Sequence, residues 1–86
     1  MTRVALLSII VSDTDQVAEL NECLHEASPY IIGRMGIPYR DRGINIISVA
    51  LDAPQDVISA LGGKIGRLKG VSSKTVYSDI VHEEEA

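Results

Sequence analysis

The chain has no phenylalanine, no tryptophan and a single cysteine, Cys23, among its 86 residues. One thiol excludes an intrachain disulfide and any paired-cysteine zinc site, and it fits a reducing, cytoplasmic setting. With three tyrosines as the only aromatics, the core has to be built from Val, Ile, Leu and Ala. Apolar burial contributes about 25 cal/mol per Å², and a chain of this length is close to the lower limit for folding alone. Further area buried between subunits would add to a core of this kind. No long hydrophobic run is present either. The apolar segment at residues 4–11 is interrupted by Ser8 and falls well short of the ~20 residues needed to span a bilayer. No small-residue cleavage pattern separates it from Asp13 and Asp15, so it does not read as a signal peptide. A soluble, intracellular protein that does not enter the membrane is expected.

Charge is low in total and uneven in distribution. The net charge is −4. Residues 13–26 hold five acids (Asp13, Asp15, Glu19, Glu22, Glu26) and no lysine or arginine. Residues 34–74 reverse the balance, with seven bases against Asp41, Asp52 and Asp56. A basic middle can serve an anionic ligand or partner, although a mixed solvated surface is the simpler reading.

Two similar halves emerge from the periodicity. Residues 3–11 are β-branched and apolar on both alternating faces, as a central strand requires. Ser12 and Asp13 supply N-cap oxygens, with Asp15 and Gln16 at capping-box spacing. Val17, Leu20, Leu24 and Ala27 form one helical stripe, which Pro29 ends. A second strand follows over residues 30–38, interrupted by Gly33 and Gly36, and then a hairpin loop over residues 39–43. The pattern recurs: a strand over residues 44–51, Pro54 at the first position of a helix, and a stripe at Ile58, Leu61, Ile65 and Leu68. Gly70 suits the position past the helix end. A final strand over residues 71–77 places Val71, Ser73, Thr75 and Tyr77 on one face, with Ser72, Lys74 and Val76 on the other. These elements predict an α+β, ferredoxin-like β-α-β-β-α-β domain over residues 1–78, followed by an acidic, flexible tail over 79–86. Its four-stranded antiparallel sheet carries both helices on one face, with the first and third strands central. On these two strands Ala5, Leu7, Ile9, Val11, Ile47, Val49 and Leu51 are apolar, and so are Val4, Leu6, Ile10, Ile44, Ile46 and Ala50; one set would face the helices and the other would face water. Apolar patches of this extent mark interfaces, so a homo-oligomer, dimer or tetramer, formed through the sheet is expected.

No catalytic set stands out. His25 and His82 have no sequence partner, and Cys23 lies two positions from His25, so the two diverge on a helix. Neither a metal site nor a cofactor is expected, and the chain reads as a non-enzyme. If sheet-face chemistry occurred, Ser8, Asn45 and Ser48 would be its polar groups. Gly62, Gly63 and Gly66 inside the second helix each cost ~1 kcal/mol against alanine. Close packing explains them more simply than ligand access beside Lys64 and Arg67, and the run lacks P-loop spacing. Direct nucleic-acid binding is not expected, because the central strands carry no stacking aromatics.

The run Leu61-Gly-Gly-Lys-Ile-Gly-Arg-Leu-Lys-Gly-Val71 through Val76, with Arg34-Met-Gly-Ile-Pro-Tyr39, resembles a family of small stand-alone regulators of the iron-only hydrogenase system. That family is similar to the ligand-binding domain of nickel-responsive repressors and, more distantly, to ACT domains. The resemblance implies an oligomeric regulatory or sensor domain, or else a protein-interaction module in metallocluster maturation. Met35, Ile37 and Gly43 occupy the positions of the repressor's nickel ligands, so nickel is not implied. The turn at residues 12–16 has no glycine, unlike the ACT amino-acid site. A small-molecule site is expected between the second strand and the second helix, at Arg34, Met35, Gly36, Tyr39 and Lys64.

Overall fold

The computed structural model describes residues 1–82. Four strands alternate with two helices: β1 (Thr2–Val11), α1 (Val17–Glu26), β2 (Ile31–Tyr39), β3 (Ile44–Ala53), α2 (Gln55–Gly66) and β4 (Val71–His82). The strands form one antiparallel sheet in the order β2-β3-β1-β4. This is the β-α-β-β-α-β arrangement that the two half-repeats predict. Each helix crosses over one intervening strand, so β1 and β3 become central.

Burial alternates with the pleat. On β1, Ala5, Leu7, Ile9 and Val11 are buried, and on β3, Ile47, Val49, Leu51 and Ala53. These side chains meet Leu20, Cys23, Leu24 and Ala27 from α1 and Ile58, Leu61 and Ile65 from α2. No buried polar or charged residue interrupts this core among the described residues. Val17 and Leu68 from the two stripes pack on its margin.

Local chemistry fixes the turns. Before α1, residues Thr14–Gln16 form a 3₁₀ turn whose cap is Asp13, with a carboxylate oxygen accepting from Asp15 N at 3.0 Å. Ser12, the other candidate cap, instead donates through both its backbone N–H (2.8 Å) and its hydroxyl (3.0 Å) to the Gly70 carbonyl. That contact ties the start of β4 to the end of β1. At α2, Pro54 sits one position earlier than expected. It is the N-cap, with extended ψ of 147°, and its carbonyl accepts from Val57 and Ile58. Gly43 and Gly70 hold φ of 65° and 72°, in the left-handed region that glycine enters at least cost.

β4 runs to His82, four residues past the end assigned to the domain from sequence. Beyond a register shift between Arg3 and Ala5 on β1, Thr2 and Arg3 pair with His82 and Val81. The acidic stretch at residues 83–86 lies outside the described residues.

Candidate functional site

Both helices pack on one side of the sheet, and their absence from the other leaves a face that can be read rung by rung. Ile37, Ile46, Ile10 and Ser72 stand in register across β2, β3, β1 and β4. The next rung is Met35, Ser48, Ser8 and Lys74, and the next Gly33, Ala50, Leu6 and Val76. Strand alternation puts these side chains opposite the core. Ile9 is 1% exposed, whereas its neighbour Ile10 is 46% exposed. Leu6, Met35, Ile37, Ile46 and Val76 are exposed in the same way. This is the face anticipated from the two-sided apolar strands, and β2 extends it with Met35, Ile37 and Tyr39.

Within this apolar surface lies a shallow groove of 330 Å³, walled by Ile10 and Ile46 and floored by Ser8 and Ser48. Ser72 and Lys74 close its β4 side. Ser8 and Ser48 are direct cross-strand partners, and so are Ser8 and Lys74. Asn45, grouped with the serines from sequence, is in register with Val11 and Pro38 on the alternate side. Ser72 and Lys74 line the groove as well, though the sequence does not single them out. Their shared parity on β4 was visible in the sequence, but only the β1–β4 register sets them beside Ser8.

The five residues expected to form a ligand site do not converge. α2 packs over β4 and β1, so strand β2 and helix α2 are not neighbours. Arg34 reaches back to α1, where its Nη2 donates to Asn21 Oδ1 at 3.3 Å. Lys64 lines a 170 Å³ cleft between the helices, with Glu26 and Tyr30. Its ammonium donates to Glu26 Oε2 at 2.6 Å, joining α1 to α2. Hydrogen bonding from Lys64, and then its charge, hold the Glu26 carboxyl below its ordinary value. The same hydrogen bond, and then the negative charge of Glu26, raise Lys64. Met35 and Tyr39 share the open face in register with Ser48 and Ile44, while Gly36 falls opposite buried Ile47.

Gly62 and Gly66 face β4. A Cβ on Gly62 would meet Thr75 Oγ1 at 3.5 Å, and one on Gly66 would meet Ser73 Oγ at 3.7 Å, both ordinary contacts. Close packing therefore does not require glycine at either position. Among the described residues no cluster of three or more His, Cys, Asp or Glu side chains could hold a metal ion, and no helix is long and apolar enough to cross a membrane.

Comparison with solved structures finds protein TM1266 from Thermotoga maritima, 37% identical over 90% of this chain and 98% of that one, with a TM-score of 0.86. A formyltetrahydrofolate deformylase from Pseudomonas putida is 15% identical, with a TM-score of 0.62 over 85% of this chain and 28% of that one. A protein from Galdieria sulphuraria is 17% identical, with a TM-score of 0.63 over 95% of this chain and 48% of that one. The last two share the fold alone. Comparison with curated protein sequences finds no match. A family model described as "Iron-only hydrogenase system regulator, putative" matches residues 3–75. With that match and the TM1266 likeness, the chain belongs to the TM1266-like family, which carries that description.

Proposed function

We propose that the chain is a non-catalytic, cytoplasmic regulatory or sensor domain of an iron-only hydrogenase system, working as a homo-oligomer joined through its sheet. The observation that carries this reading is the uncovered face, where Leu6, Ile10, Met35, Ile37, Ile46 and Val76 are all exposed. A monomer would present that surface to water, and large contiguous apolar patches are a feature of interfaces. A second copy supplies the same surface about a twofold axis, which closes the assembly. Family membership supports the regulatory part.

Deletion of the gene from its host tests regulation. The reading expects a several-fold change in hydrogenase activity or transcript, and unchanged levels of both would contradict it. The other reading, an assembly module in metallocluster maturation, requires a stable protein partner at native concentration. Recovery of a stoichiometric maturation protein with the tagged chain would favour it.

A further inference from the structure

The groove on the open face differs chemically from the surface around it. Ser8, Ser48, Ser72 and Lys74 form a polar island with Ile10 and Ile46 within it and Leu6, Ala50 and Val76 on the adjoining rung. Among the described residues none of the four polar side chains has a hydrogen-bond or ion-pair partner. Covering the face would strand three hydroxyls and an ammonium in an apolar interface, which is costly unless they find acceptors.

We infer that the groove binds a small organic carboxylate with an apolar body, with Lys74 as its counter-charge. The inference rests on the sheet-paired reading above and supplies its ligand class. Each group on the island can donate, and a carboxylate is acceptor-only. The walls are isoleucine, so the remainder of the ligand is aliphatic. On one subunit, before a second copy covers it, the groove offers 330 Å³, at the small end of ligand pockets, which start at about 300 Å³, so the ligand is a small molecule. Asp52, the nearest acid along β3 on this face, is four residues from Ser48, or about 13 Å at strand rise. A carboxylate that also carried an α-ammonium would bring a second cation to Lys74, with no acid on the neighbouring rungs among the described residues to balance it. The groove therefore selects against amino acids.

The test uses three probes of one shape: 4-methylpentanoate, the neutral 4-methylpentan-1-ol, and leucine. Each is titrated into the full chain by calorimetry, with sedimentation velocity on the same samples. Binding of 4-methylpentanoate is expected to exceed that of the alcohol and of leucine by about tenfold or more, the scale of one charge-assisted hydrogen bond. Lys74→Met, on an edge strand and exposed, is expected to fold and to lose that preference, while Lys74→Arg keeps it. Equal binding of acid and alcohol, binding unchanged in Lys74→Met, or no binding of the acid would overturn the inference. Sedimentation reports separately on the sheet pairing: a dimer that ignores the carboxylate defeats the groove assignment alone, and a monomer defeats the oligomer.

Discussion

Ile10 and Ile46 stand directly opposite each other on β1 and β3, at the centre of the sheet, and both point away from the core. In an isolated subunit each is 40% exposed or more, so a lysine there can rest its stem on the sheet and hold its ammonium in water. Ile10→Lys should therefore leave the folded subunit intact while disfavouring a sheet-to-sheet pairing. In the wild type, melting temperature should rise with protein concentration, as it does whenever association stabilises the native state. In Ile10→Lys that dependence should vanish. Melts over a hundredfold concentration range check this, and a concentration-independent wild type would contradict it.

Gly70 shows how two turns hold each other. Its φ is 72°, and a Cβ there would lie 2.5 Å from the Asp13 Cβ. Gly43 has a similar φ of 65° but open space around it. Gly43→Ala should cost only the left-handed backbone penalty, about 1–2 kcal/mol. Gly70→Ala carries the same penalty plus displacement of the Asp13 turn, so it should cost clearly more. Urea denaturation of both variants measures the difference, and equal losses would show that the Asp13 turn yields freely.

Gly62 lies in the interior of α2 with room for a methyl group beside Thr75. Gly62→Ala should stabilise the chain by about 1 kcal/mol through helix propensity. A raised denaturation midpoint with unchanged m-value is the expected result. A destabilised variant would mean that the helix approaches β4 more tightly than its contacts indicate.

The Glu26–Lys64 pair sets a weak pH dependence at its own edges. The Glu26 carboxyl lies below its ordinary value of 4.5, so its share of stability is present above that value and is lost as pH falls through the folded-state value. Lys64 is raised above its ordinary 10.5, so its share is full below that value and is lost as pH rises through the folded-state value. Both groups are exposed, and the pair's contribution is small. Glu26→Gln should flatten the acidic limb of the stability profile without moving its plateau by much. Denaturation at pH 3 and pH 7 tests this by comparing the variant's pH difference with that of the wild type.

The fold was legible because its evidence is local and repeated. Two stripes at helical spacing, Val17 to Ala27 and Ile58 to Leu68, each follow a strand that is apolar on both faces. Those two strands could only be central, and their second faces announced the open surface. Which residues would share a site was harder to read, because that depends on which elements become neighbours. Arg34 and Lys64 are both basic and both lie near glycines, but α2 crosses toward β4, which sends Lys64 to Glu26 and leaves Arg34 with Asn21. Conversely, Lys74 and Ser8 are far apart in sequence and adjacent in space through strand pairing alone. Pro54 differed by a single position, since its extended ψ suits a cap as readily as its φ suits the first turn.

The central claim, that the open sheet face is an interface between copies of this chain, is tested most directly by sedimentation velocity at micromolar concentration. Wild type and Leu6→Asp should be run side by side, since Leu6 is exposed on β1 in that face. The account predicts a wild-type species of at least twice the 9.3 kDa subunit mass and a folded Leu6→Asp monomer. A wild-type monomer, or a Leu6→Asp protein that sediments as the wild-type oligomer does, would contradict it.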